Sequence, residues 1–375
     1  MSFMSSTPSQ QAASPASISQ KRLVPESVRF VVAAILSILV GGLSGLLAVL
    51  VIVAILYSVG GWDSASKHGI SEQRSCRLGG VILVVYPVCV LGYHWLSGDM
   101  LSFSSEGITL ALLSLGIFAL GFFEDLTSVL SPVLRLSFML AGGVVLLLVV
   151  PDLVIQPLGI WGVDWIFEIP LLAYPITVLA LAFLPNAFNI SDGANGLLSG
   201  VCLLAMLGLM KLDGGISMWP VEVLFSGCLI FFFLNVVTGR LFLGDGGAYL
   251  LGLLVGIMLI YAANGTNASP WLLAMFIFYP MTDFLFSMLR RVLSGRSAML
   301  ADNEHFHNLL FQRYRIWVLR SGIANTMTGI TIALIWPGIP VLLLFTIGEE
   351  LNWGLIYAFN WIGFVLLWFA LRRKV

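Results

Sequence analysis

The stretch GITLALLSLGIFALGFFEDLTSVLSPVLRLSFMLAGGVVLLLVV, residues 107–150, decides the fold. Its two ends, 107–123 and 134–150, are apolar runs of 17 residues, each close to the roughly 20 residues that carry a helix across a bilayer. Between them sit the adjacent acids Glu124 and Asp125, and then Ser131-Pro132, a pair suited to ending a loop and opening a helix. Strand-period alternation is not evident, which argues against an outer-membrane barrel. The stretch therefore reads as two membrane-crossing helices joined by a short polar turn.

The same pattern repeats along the chain. Apolar runs lie near 29–58, 79–97, 107–123, 134–150, 169–185, 197–212, 218–237, 249–263, 271–289, 320–347 and 353–371. That gives about 11 transmembrane helices, or 10 if a short run fails to cross. The tenth run contains Trp336-Pro337-Gly338-Ile339-Pro340, so a kink or two half-helices is expected there. Composition agrees: 59% of the 375 residues are hydrophobic and 10% are charged, against roughly 25% charged in soluble domains. A cytosolic enzyme, a disordered chain and a disulfide scaffold are excluded. The reading is an all-α polytopic membrane protein, with a flexible polar tail at 1–27 and one integral-membrane domain over 28–375.

A net charge of −1 offers no basic surplus for nucleic acid. The four cysteines form no CxxC pair, and three lie in apolar runs as buried thiols. Charge does choose an orientation. With eleven spans, fourteen of the 18 basic residues fall on one set of loops, while Lys21, Arg22, Arg29 and Lys211 fall on the other. The richer set is expected in the cytoplasm, with the N-terminus outside. The clustered polar groups share that face: Glu124-Asp125, Asn189 to Asn195, Gly244-Asp245 and Asp302 to His307. Ionisable groups gathered at helix ends on one side point to a catalytic site at the membrane surface. A transporter would place them near mid-membrane.

Each cluster has a chemical and a plain reading. Asn189, Asp192 and Asn195 are spaced i, i+3 and i+6, so on a helix they share a face suited to a nucleotide or a metal-bound phosphate. Alternatively, Ser191 or Asp192 caps the sixth span. Asp245, set among Gly244, Gly246 and Gly247, can hold Mg²⁺ beside a pyrophosphate or act as an N-cap. Glu124 and Asp125 can bind a divalent ion or accept a proton, or be solvated helix-end acids with Arg135 as counter-charge. The long basic loop near 290–319 carries Arg290 and Arg296, natural pyrophosphate ligands, around His305 and His307. Positive-inside topology also accounts for those arginines, and zinc at the HxH pair lacks cysteine partners and a third histidine nearby. Taken together, acids, histidines, glycines and arginines on one face favour Mg²⁺-assisted phosphate chemistry.

In this order, GFFEDL (121–126), NAFNISDGANGL (186–197), FLGDGGAYLLG (242–252) and DNEHFHNL (302–309) resemble the signature segments of the polyprenyl-phosphate N-acetylhexosamine-1-phosphate transferases. That glycosyltransferase family 4 is related to the phospho-MurNAc-pentapeptide translocase. The resemblance covers roughly residues 60–315 and implies transfer of a sugar 1-phosphate from a UDP-sugar to undecaprenyl phosphate, releasing UMP. It further implies Mg²⁺ as cofactor (Mn²⁺ as a substitute), a multi-pass protein of the inner cytoplasmic membrane among membrane lipid, and an active site facing the cytoplasm. A homodimer is compatible with it. In this likeness Asp245 is the metal ligand. Glu124, Asp125, Asp192, His305 and His307 are the catalytic candidates. Lys67, Asn189, Asp192, Asn195, Phe242, Arg290 and Arg296 are expected around the nucleotide-sugar, Phe242 stacking near the uracil. The chain departs from the pattern at Glu124 and Asn195, where family members often carry Asp, at Ser75-Cys76-Arg77 and at Asn308. Translocase activity is the rival within the enzyme class. A secondary transporter of an anionic solute is the rival outside it, opposed by the lack of an internal repeat.

Overall fold

A computed structural model describes residues 75–96, 104–212, 218–295, 297 and 302–373, together with 62–63 and four positions between 42 and 51. The tail at 1–27, most of the run at 29–58, and Lys67 and Arg296 lie outside the described residues.

A two-residue antiparallel ladder, Trp62–Asp63 (β1) with Ser75–Cys76 (β2), follows the helical positions 42, 45, 47 and 51. A short turn then leads into α1 (Ile82–Leu96). Next come α2 (Ser105–Thr127), α3 (Pro132–Val149), α4 (Pro170–Ser191), α5 (Leu197–Leu212), α6 (Met218–Thr238) and α7 (Gly244–Gly265). The pair α8 (Pro270–Phe276) and α9 (Phe278–Leu293) is followed by α10 (Phe306–Trp317), α11 (Ser321–Ala333), α12 (Ile339–Thr346) and α13 (Trp353–Arg372). Among the described residues, eight helical segments are long and apolar enough to cross a membrane, or nine if α8 and α9 form one bent span. The chain is an all-α polytopic membrane protein, and ten of the eleven expected runs coincide with helices.

Local sequence explains the ends. Ser131 Oγ accepts from the Leu134 N–H at 3.2 Å with Pro132 at the first helical position, so α3 opens where expected. Three details differ from the sequence reading. Helix α2 runs on to Thr127, so Glu124 and Asp125 lie in its last turn. Helix α7 begins at Gly244, so the GDGG segment is its first turn and not a loop before it. The 271–289 run is broken at Ile277, where α8 and α9 meet at 83°. By contrast, Pro337 does not split the tenth span: a π-helical turn over Leu334–Gly338 takes up the missing N–H and joins α11 to α12.

Helix α7 is the axis of the bundle. In its most apolar window 83% of residues are buried, against 11% for α13 at the periphery. Small residues let its neighbours approach: a Cβ on Gly121 of α2 would sit 2.5 Å from the Gly246 nitrogen, and one on Gly252 would sit 2.6 Å from the Pro185 Cα of α4. The polar groups near the start of α7 are thereby brought against the inner ends of α2 and α4.

Candidate active site

The first N–H groups of a helix need acceptors, and α7 has no capping side chain of its own. Its neighbours supply them. Asp125 Oδ1 accepts from the Asp245 N–H at 2.9 Å and Asp125 Oδ2 from the Gly246 N–H at 3.0 Å. Asp192, just past the end of α4, accepts from the Gly244 N–H at 3.1 Å. The bonds differ from both plain N-cap readings: Asp245 does not cap its own helix, and Asp192 accepts from the start of α7 across the bundle and not from α5, the sixth span. Two carboxyl groups thus meet at a positive helix end. Desolvation raises the pKa of the Asp192 carboxyl well above the usual range, partly offset by the Gly244 N–H and by Arg77. Asp125→Ala removes two of these bonds at once. We expect a loss of roughly 2–4 kcal/mol, read as a lower unfolding temperature in detergent.

Held this way, Asp245 turns its carboxylate toward α3. Asp245 Oδ2 meets Arg135 Nη1 at 2.6 Å and accepts from the Tyr249 hydroxyl at 3.0 Å, while Arg135 Nη1 also donates to that hydroxyl at 3.1 Å. Glu124 lies 3.8 Å from Arg135 and accepts from the Leu130 N–H at 2.8 Å, tying the α2–α3 turn to the cluster. One turn deeper on α3 and α7, past Arg135 and Tyr249, a small apolar cleft lies between α2, α3, α4 and α7. Ile117, Met139, Gly142, Leu181 and Leu253 are among its walls. A charged mouth above an apolar cleft suits a ligand with an anionic head and a hydrocarbon tail.

The histidine segment closes the other side. His305 Nδ1 lies 2.7 Å from Asp283 Oδ2, and His307 Nδ1 lies 2.8 Å from the Tyr279 hydroxyl. The two rings stack, with centroids 5.6 Å apart and planes 4° from parallel. His307 Nε2 faces Gly193, where an added Cβ would come within 2.4 Å, so the HxH pair rests on the Asp192 loop.

The other expected residues are distributed unevenly. Asn189 is half-buried in the last turn of α4, and its carboxamide makes no hydrogen bond among the described residues. Because α4 stops at Ser191, Asn195 is not on its face. Its N–H donates to Asn325 Oδ1, its Nδ2 donates to Thr326, and its buried Oδ1 has no partner among the described residues. Phe242 is half-buried beside β2, donating its N–H to the Cys76 carbonyl at 2.8 Å. Arg290 is engaged by Asp302 and Glu304 and packs on the Trp368 ring. Tyr249, Tyr279 and Asp283 were not among the sequence candidates. Asp283 was detectable as a lone acid inside an apolar run, and Tyr249 as the i+4 neighbour of Asp245.

The donor set fits a hard divalent cation bound in part by substrate. Among the described residues no three His, Cys, Asp or Glu side chains form a cage, and Mg²⁺ commonly uses one or two carboxylates plus phosphate oxygens. Asp245 Oδ1 is without a hydrogen bond among the described residues and is the oxygen open to such an ion.

Comparison with known proteins gives the following. The family profile described as Glycosyl transferase family 4 matches residues 107–263, the segment that carries Glu124, Asp125, Asp192 and Asp245. A probable undecaprenyl-phosphate N-acetylglucosaminyl 1-phosphate transferase of Bacillus subtilis is 25% identical over 82% of both chains. A decaprenyl-phosphate N-acetylglucosaminephosphotransferase of Mycobacterium leprae is 32% identical over 36% of this chain and 41% of its own length. An undecaprenyl-phosphate alpha-N-acetylglucosaminyl 1-phosphate transferase of Escherichia coli K12 is 28% identical over 54% of this chain and 55% of its own. The match thus spans most of the first relative and about half or less of the other two.

Proposed function

We propose that the chain, which matches the glycosyl transferase family 4 profile over residues 107–263 and resembles a probable undecaprenyl-phosphate N-acetylglucosaminyl 1-phosphate transferase over most of its length, is a member of that family and transfers N-acetylglucosamine 1-phosphate from UDP-N-acetylglucosamine to undecaprenyl phosphate at the cytoplasmic face of the inner membrane. The observation that carries the reading is Asp245 at the mouth of an apolar cleft, in a helix start whose N–H groups are held by Asp125 of α2 and by Asp192 just past α4.

In this reading an oxygen of the lipid phosphate attacks the phosphorus attached to the sugar. The bond from that phosphorus to the UMP oxygen breaks, and UMP leaves as the dianion, so no proton need be supplied. Arg135 binds the lipid phosphate while its first isoprene units enter the cleft. Asp125 and Asp192 keep the start of α7 fixed so that Asp245 does not shift during turnover. Asn189 and Phe242 meet the nucleotide, and His305 and His307 meet the diphosphate from the opposite side. Bound at Asp245, Mg²⁺ would neutralise charge on the diphosphate.

The test is UMP release from purified protein given undecaprenyl phosphate, Mg²⁺ and a panel of UDP-sugars. UDP-N-acetylglucosamine is the expected donor. UMP formed solely from UDP-MurNAc-pentapeptide would replace this reading with translocase activity, and absence of UMP with every donor would remove it. Replacing Arg135 with Ala is expected to raise KM for the lipid phosphate by about tenfold, since a charge-assisted phosphate contact is worth roughly 1.5–3 kcal/mol. An unchanged KM would remove Arg135 from lipid binding.

A further inference from the structure

Asp283 and Tyr279 lie one helical turn apart on α9, and His305 and His307 lie two residues apart in the facing segment. All four side chains are buried, and each α9 residue takes the Nδ1 of one ring. The partners differ in what they can do. An ionised carboxylate only accepts, and Asp283 is already fixed by accepting from the Phe306 N–H at 2.9 Å. His305 must therefore donate from Nδ1. The Tyr279 oxygen accepts from the His307 backbone N–H at 3.2 Å, and its own proton needs an acceptor in this enclosed place. The acceptor within reach is His307 Nδ1.

We propose that Asp283 and Tyr279 are positioning residues that set opposite proton states at Nδ1 of the two stacked histidines: protonated on His305, bare on His307. The proton of neutral His307 then sits on Nε2, the nitrogen that faces the Asp192–Gly193 loop. Which ring nitrogen carries the proton is set by the bond the other one makes. Tyr279 cannot easily turn away, because its ring stacks on Trp336 of the π-helical turn with centroids 5.4 Å apart. The Trp368 indole N–H donates to the Glu304 carbonyl at 2.8 Å and steadies the residue before His305. Local electrostatics agree. Burial holds His307 at a pKa of about 4, so it stays neutral, while Asp283 and Asp302 raise the pKa of His305 against its desolvation and Arg291.

The activity arm of the test rests on the proposed function, and the spectroscopic arm does not. The chain has four histidines, so ¹⁵N-histidine labelling of the full protein in detergent gives a spectrum assignable with His305→Gln and His307→Gln. In the wild type, Nδ1 of His305 is expected in the protonated range and Nδ1 of His307 in the unprotonated range. The same state at both Nδ1 positions would overturn the proposal. Asp283→Asn offers His305 an amide donor, so the proton is expected to leave Nδ1. Turnover should fall about 10- to 100-fold with KM for UDP-N-acetylglucosamine within about threefold. Tyr279→Phe should release His307 to exchange tautomers and lower turnover about tenfold. Turnover within twofold of wild type in either variant would also overturn it. Wild-type protein that shows the opposite Nδ1 states yet releases no UMP would sink the proposed function and leave this inference standing.

Discussion

Asp245→Asn is expected to lower UMP release at least a thousandfold while leaving a protein that elutes and unfolds like the wild type. The two side chains are isosteric, and the helix start is held by the Asp125 and Asp192 carboxylates on backbone N–H groups, which the substitution leaves in place. What is lost is the negative charge facing Arg135 at 2.6 Å and the open oxygen suited to a divalent ion. A thousandfold is about 4 kcal/mol of transition-state stabilisation, within what metal-assisted charge neutralisation supplies. A second readout does not depend on turnover: Mg²⁺ should raise the unfolding temperature of the wild type and not of the variant. Activity within tenfold of wild type, or an equal Mg²⁺ shift in both proteins, would remove Asp245 as the metal ligand.

Gly244→Ala is expected to damage the same site through the backbone. Gly244 has φ of +71°, a conformation that costs an L-residue about 1–2 kcal/mol. Space is shorter still: a Cβ there would lie 2.0 Å from the Arg77 carbonyl oxygen and 2.5 Å from Asp125 Oδ2. The chain would have to open the contact between the 76–80 segment and the start of α7, where Gly80 donates its N–H to the Leu243 carbonyl at 2.9 Å. Loss of at least a hundredfold in UMP release with a lower unfolding temperature is the expected result. Gly116→Ala is the control, because a Cβ at that helical position meets nothing within 4 Å. Equal behaviour of the two variants would mean that the helix start tolerates movement and that its carboxylate grip is not needed.

The legible and illegible parts of the chain differ in physical kind. Apolar length and positive-inside charge are properties of short segments, so the 107–123 and 134–150 runs announce helices without knowledge of their neighbours. The acids of the site were legible for the same reason, since Glu124, Asp125, Asp192 and Asp245 stand out against apolar surroundings at helix ends. Their tasks were not. Asp192 and Asp245 each read as an N-cap of the helix that follows it, because capping rules look a few residues ahead. In the folded chain the caps come from Asp125 on α2 and Asp192 just past α4, the former about 120 residues distant in sequence.

Tyr279 and Asp283 show the same boundary. Within their own segment they are an i, i+4 pair on a mostly apolar helix, as compatible with a core hydrogen bond as with a site. Their meaning comes from the 83° break at Ile277, which accompanies the placement of α9 against the histidine segment. By itself the sequence determined that this is a many-span helical membrane protein with its polar chemistry on one side, because transfer of apolar segments from water is a local, additive effect. Only the tertiary structure decided which carboxylate is held, which is left open and which nitrogen of each histidine is occupied. Those depend on donors and acceptors brought within about 3 Å by close helix packing, and no segment carries that information alone.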